Sequence, residues 1–157
     1  MPITRRTVLG LFGAGAGFGL LPSIAAPYPI IHVSKDPNCG CCSKWIEHLH
    51  AAGFQTEVSD VTDMGTVKSK LSVPEVLYSC HTAQIAGFVI EGHVPAAAIR
   101  RLLAERPKAL GLAVPGMPLG SPGMEVPGTP DEIYEVILFD RLQRKSYARY
   151  KGTTEVL

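Results

Sequence analysis

Apolar and polar positions alternate with different periods along the chain and divide it into elements. Ile30 to Val33 is a short β-branched run closed by Asp36-Pro37-Asn38, after which Cys42, Trp45, Ile46 and Leu49 recur at helical spacing until Gly53. This predicts a strand, a turn and a helix. Phe54 to Val61 alternates as a strand, Met64 to Leu71 suits a short helix, and Val73-Pro74 restarts the chain toward Cys80. Thr82 to Ala86 and Phe88 to Glu91 flank Gly87 as a hairpin. Pro95 opens a second helix, with Ile99, Leu102 and Leu103 on one face, and Pro107 stops it. The expected order is βαβαββα.

Beyond this point the pattern changes character. Pro115 to Pro130 carries five prolines and four glycines in sixteen residues, which supports neither a helix nor a central strand. Loops of this length inside a compact domain are uncommon and often functional. Tyr134 to Asp140 and Ser146 to Tyr150 read as two strands joined by a basic turn, a C-terminal β-hairpin that extends or covers the sheet.

The N-terminus has a different design. Arg5-Arg6 precede an apolar, Gly- and Ala-rich run from Gly10 to Leu21, a turn at Pro22 and the small residues Ser23-Ile24-Ala25. This reads as an export signal over residues 1–25, with the paired arginines pointing to the twin-arginine route. A retained membrane anchor is the competing reading. Pro22 and the five glycines from Gly10 to Gly19 weaken it, because a spanning helix needs about 20 apolar residues. Cleavage after Ala25 leaves a single domain, residues 26–157, with no stable membrane insertion and a periplasmic destination. Its formal charge falls from +1 to −1, with 13 basic against 14 acidic side chains. That balance favours neither nucleic acid nor a membrane surface as partner. The 132 remaining residues are enough for a real core, so disulfides are not needed for stability.

The chemistry concentrates in four cysteines. Cys39, Cys41 and Cys42 form one C-x-C-C motif, and Cys80 stands alone beside His81. Cys39 and Cys42 have the spacing of thiol-disulfide oxidoreductases, in which the start of a helix lowers a thiol pKa. Cys41 is superfluous to that chemistry. A disulfide between the neighbours Cys41 and Cys42 is strained, since a helix separates adjacent side chains by about 100°. A structural bridge would therefore recruit Cys80. The third reading, a metal nest, uses all four sulfurs, and thiolate-rich sites select Cu(I) first and Zn(II) second. In an oxidising compartment a metal also protects thiols.

Other soft or nitrogen donors are weaker candidates. Met124 and Met117 lie in the Pro/Gly-rich loop, where thioethers either join Cu(I) or anchor the loop, and the balance for Met117 tilts to anchoring. His81 and His93 are each readable as ligand, supporting donor or structural residue, with the structural role favoured. His48 and His50, two apart, make no i, i+4 metal pair and are expected to face solvent. Trp45 is expected in the core as one wall of the site. No Ser-His-Asp order, nucleotide-binding glycine motif or carboxylate pair rises above chance, so a hydrolase or dehydrogenase mechanism lacks a starting residue.

The element order resembles the thioredoxin fold, with the motif cysteines at the first helix and Cys80 in the opposing loop before the third strand. In redox-active thioredoxin relatives a proline occupies that loop, whereas here it reads Tyr78-Ser79-Cys80-His81-Thr82. This departure weakens the reductase reading. The motifs Cys39-Gly-Cys-Cys-Ser-Lys-Trp, Ser79-Cys-His-Thr, Glu91-Gly-His-Val-Pro and Gly116-Met-Pro-Leu-Gly-Ser-Pro-Gly-Met-Glu together resemble the CopG-like family of exported metal-binding proteins. The resemblance spans roughly Ile30 to Tyr150. It implies a thioredoxin-like fold, a periplasmic location, a connection to copper resistance and copper held by Cys39, Cys41, Cys42 and Cys80, as Cu(I) in a multinuclear cluster. Implied partners are copper ions and another periplasmic copper-handling or thiol-redox protein. The alternative is a thiol-disulfide oxidoreductase with Cys39 as nucleophile and Cys42 as resolving thiol.

Overall fold

A computed structural model describes residues 28–157, so the export-signal reading of residues 1–25 lies outside the described residues. Strand β1 (Ile31–Lys35) leads through a tight turn into helix α1 (Gly40–Ala51), followed by β2 (Thr56–Asp60) and α2 (Met64–Lys70). Next come β3 (His81–Ile85), β4 (Phe88–Glu91) and α3 (Ala96–Glu105). The remaining strands are β5 (Gly111–Ala113), β6 (Ile133–Phe139), β7 (Arg144–Lys151) and β8 (Thr154–Val156). The first seven elements follow the order that periodicity predicts.

All eight strands join one sheet in the order β2-β1-β3-β4-β5-β6-β7-β8. The β1/β2 and β4/β5 pairs are parallel and the others antiparallel. Side-chain alternation divides the core between the two faces. Trp45, Ile46 and Leu49 of α1 and Ile99 and Leu102 of α3 pack with Ile90, Leu112 and Leu138. Their strand neighbours Val89, Ala113 and Phe139 pack with Val73 and Leu77 on the opposite face. Every residue of β4 is buried, as expected of a central strand covered on both sides.

Two local findings depart from the sequence expectations. The segment after Val73 contains a one-turn 3₁₀ helix at Glu75–Leu77, which brings the chain to Cys80. Strands β5 and β8 were not marked by any apolar period, because each is three residues long. Helix α3 does end before Pro107, through a left-handed Arg106 whose N–H bonds the Leu102 carbonyl. Residues 115–130 hold no helix or strand, and among the described residues no helix is long and apolar enough to cross a membrane.

Candidate metal centre

The turn after β1 aims the first thiols. The Asp36 carbonyl accepts from Cys39 N–H at 3.0 Å and the Asp36 carboxylate from Asn38 N–H at 2.8 Å. Cys39 then occupies the N-cap position of α1, and Cys41 and Cys42 fall in its first turn. Unpaired N–H groups and the helix dipole at this end favour negative charge on sulfur. Cys80, just before β3, faces them. Its Sγ lies 3.5 Å from Cys42 Sγ and 3.8 Å from Cys41 Sγ, while Cys39 and Cys41 sulfurs are 3.6 Å apart. The four sulfurs that the sequence singles out therefore converge.

Two of them are bonded to each other. Cys39 and Cys42 form a disulfide, and Cys41 and Cys80 are free thiols. The expectation that a structural bridge would have to recruit Cys80 is thereby corrected. One turn of helix brings residues three apart to the same side, so the C-x-x-C pair closes within its own motif. In this oxidised form all four sulfurs cannot act as thiolates together. The separations of 3.5–3.8 Å nevertheless suit thiolates sharing an ion through bonds of about 2.3 Å.

A buried polar network fixes the Cys80 segment from below. Lys68 and Glu91, exposed by only 4% and 0% at their side chains, form an ion pair at 2.5 Å. Lys68 also donates to Thr82 Oγ1, Thr82 donates to the second Glu91 oxygen, and Ser79 N–H donates to Glu91 at 2.7 Å. Gly92 is required opposite this segment: its φ is +70°, and a Cβ would meet Ser79 Cβ at 2.5 Å.

Both histidines of the hairpin turn inward. Cys80 Sγ lies 3.3 Å from His81 Nδ1 and 3.1 Å from His93 Nε2, and both imidazoles are fully buried. His93 donates from Nδ1 to the Pro122 carbonyl at 2.8 Å, and Trp45 stacks at an angle on His81 with ring centroids 4.3 Å apart. Burial holds the His81 pKa well below its ordinary value, with His93 and Lys68 adding to the effect, and burial also lowers His93. Burial, reinforced by Cys41, pushes the Cys80 thiol up to about 12. Cys80 therefore remains a thiol at neutral pH until a cation draws off its proton.

The structural role favoured for His93 understates its position. A signal for it existed: Thr82 pairs with Glu91 across the hairpin, and extending that register sets Cys80 opposite His93. His48 is also corrected. It is half-buried and accepts from Ala96 N–H at 3.0 Å at the start of α3, whereas His50 is exposed. The two methionines separate. Met124 is half-buried in a cleft of about 300 Å³ that Cys41, Lys44 and Gly123 also line. Met117 is 53% exposed, so it does not anchor the loop by filling space.

Two solved structures described as "Copper resistance protein copG", Form 1 and Form 2, are each 48% identical to this chain. The first covers 80% of this chain and 99% of its own, with a TM-score of 0.73, and the second 78% and 98%, with 0.74. The chain belongs to the CopG-like family. A family profile described as a protein of unknown function, DUF411, matches residues 77–124, which include Cys80, both buried histidines and Met124. No curated protein sequence matches. Among the described residues the mixed α/β architecture, one eight-stranded sheet with three helices, matches the CopG structures.

Proposed function

We propose that this CopG-like protein is an exported copper-binding protein of the bacterial periplasm, holding Cu(I) through Cys39, Cys41, Cys42 and Cys80 in the service of copper resistance. The observation that carries the reading is the convergence of all four sulfurs from two separate segments, in a chain 48% identical to copper resistance proteins. Soft thiolates prefer Cu(I), and zinc is the lesser alternative. Sulfurs this close allow bridging, so a multinuclear Cu(I) cluster is the form proposed. Residues 1–25 act as a twin-arginine signal, and residues 26–157 form one thioredoxin-like domain. The parallel β1/β2 pair, the antiparallel β3/β4 pair and the thiols at the start of α1 support that description. Met124 borders Cys41 from the Pro/Gly-rich loop and serves as a lid residue. The protein's partners are copper ions and a copper-handling or thiol-redox protein; nucleic acid is not one.

The Cys39–Cys42 disulfide supports a coupled redox version. Two thiols give up two electrons and two protons as the S–S bond forms, and two Cu(II) ions or a partner disulfide accept the electrons. Only the reduced form then offers four thiolates to Cu(I). The same disulfide keeps a plain thiol-disulfide oxidoreductase as the second reading, with Cys39 as nucleophile and Cys42 as resolving thiol. Anaerobic Cu(I) titration of the reduced protein against a competing chelator, with thiol counting, tests both. Tight Cu(I) binding that protects four thiols and is largely lost in Cys42→Ser is expected. Full stoichiometry and affinity in Cys42→Ser would defeat the four-cysteine assignment. Metal-free disulfide exchange that survives Cys41→Ser and Cys80→Ser would favour the oxidoreductase.

A further inference from the structure

Cys80 belongs to two donor clusters, and the second contains no other cysteine. Its Sγ, His81 Nδ1 and His93 Nε2 all lie within 4.8 Å of one another. We propose that these three atoms form a coordination position of their own, which holds one copper ion through a sulfur and two imidazole nitrogens while Cys39 and Cys42 are disulfide-bonded. The identity of the ion rests on the copper reading above; the donor set does not.

The tautomer of His93 is dictated by its partner. A backbone carbonyl only accepts, so the proton sits on Nδ1, bonded to Pro122, and the lone pair of neutral Nε2 points at Cys80. This is the usual arrangement of a metal-binding imidazole, whose second nitrogen donates to a fixed acceptor. In the metal-free state the Cys80 S–H donates to His93 Nε2 and the Nδ1–H tautomer of His81 donates to the sulfur, two short contacts that an ion would replace. His81 Nε2 is meanwhile buried without any partner. An ion at Nδ1 would put the ring proton on that unpartnered nitrogen, so the support for coordination is the convergence of His81 Nδ1, His93 Nε2 and the sulfur.

Distances fit without rearrangement of the donors. With metal–sulfur and metal–nitrogen bonds of about 2.3 and 2.0 Å, the observed sulfur–nitrogen separations of 3.1 and 3.3 Å subtend about 90–100° at the ion. Entry is from the sulfur side, since both rings are fully buried. Binding releases the Cys80 proton to water. Disulfide formation removes Cys39 and Cys42 as thiolates but leaves this set untouched. One sulfur and two imidazoles also accept Cu(II), which an all-thiolate site disfavours. The pocket therefore retains an ion across the redox change of its neighbouring cysteines.

Cobalt(II), whose spectrum reports its ligands without oxidising thiols, is the probe. Titrated into the purified protein with its disulfide intact, it is expected to bind at one ion per chain with a thiolate charge-transfer band. X-ray absorption of that wild-type complex should show imidazole nitrogen together with a single sulfur. His93→Gln and His81→Gln should each weaken binding at least tenfold. Absence of binding, a shell of sulfur or oxygen without imidazole, or unchanged affinity in both folded variants would overturn the proposal. If either variant fails to fold, the wild-type absorption spectrum decides. Cu(I) titration of the reduced wild type separates the two readings. Histidine-dependent cobalt binding with no Cu(I) uptake would sink the four-cysteine reading alone, and the reverse pattern would sink this one alone.

Discussion

Gly123 governs how the Pro/Gly-rich loop meets the thiols. Its φ is +89°, and a Cβ there would lie 2.6 Å from the Cys41 carbonyl oxygen and 2.8 Å from Trp45 N. Both obstacles are backbone of α1, so neither can swing away. The preceding residue, Pro122, supplies the carbonyl that orients His93. One loop segment thus presses on the helix carrying Cys41 and fixes the imidazole facing Cys80. Gly123→Ala is expected to cost about 1–3 kcal/mol, through steric overlap and a disfavoured backbone conformation. Urea denaturation reads the loss, and in the disulfide form Cys41 and Cys80 should react faster with a thiol reagent. Unchanged stability and reactivity would mean that the loop does not cover the site. Sequence alone pointed to this loop through Met117 and Met124, because thioether chemistry is visible in residue identity. It tilted Met117 to anchoring, which its exposure contradicts, and did not single out Gly123, because exposure and close approach depend on what the loop touches.

Between elements, two contacts hold the parts of the site in register. Lys68 on α2 reaches Glu91 on β4, which in turn receives the Ser79 N–H beside Cys80. Removing one member of a buried pair leaves an uncompensated charge, whereas replacing both avoids it. Lys68→Met should therefore cost about 3–5 kcal/mol, and Lys68→Met combined with Glu91→Gln clearly less. Equal losses by chemical denaturation would show that the charges are not coupled in this way. His48 links α1 to α3 as a neutral acceptor for Ala96 N–H, and burial lowers its pKa, opposed by Glu125 and assisted by Arg100. A depressed folded-state pKa places this contribution above the ordinary value of 6.5 and removes it as pH falls through the lower folded value. His48→Ala should cost about 1 kcal/mol at pH 8, as loss of a helix cap does, and that difference should shrink below pH 6.5. A difference that stays constant down to acid unfolding would contradict the acceptor role. The longer helices and the β3/β4 hairpin were legible because their apolar periods are strong. The three-residue β5 and β8 were not, since their pairing is conferred by neighbouring strands and not by a local pattern.

For the whole molecule, redox state and metal occupancy are expected to be linked through stability. A ligand that binds the folded chain more tightly than the unfolded one stabilises it by mass action, about 2.7 kcal/mol at a free concentration 100 times Kd. Cu(I) should therefore raise the melting midpoint of the reduced protein by several degrees and that of the disulfide form by less. An equal rise in both forms would detach copper from Cys39 and Cys42. The chain's own order of residues determined the cysteine motif, the sequence of the principal elements and the presence of a long irregular loop, all of which are local properties of composition and period. The resemblance to CopG-like proteins was also carried by short contiguous motifs. Tertiary structure alone decided how closely the four sulfurs approach, that His81 turns its ring toward the Cys80 sulfur, that His48 is drawn into a helix contact, and that Lys68 neutralises Glu91. These depend on through-space distances between segments up to tens of residues apart, set by strand register and packing, and no one-dimensional pattern encodes such distances directly.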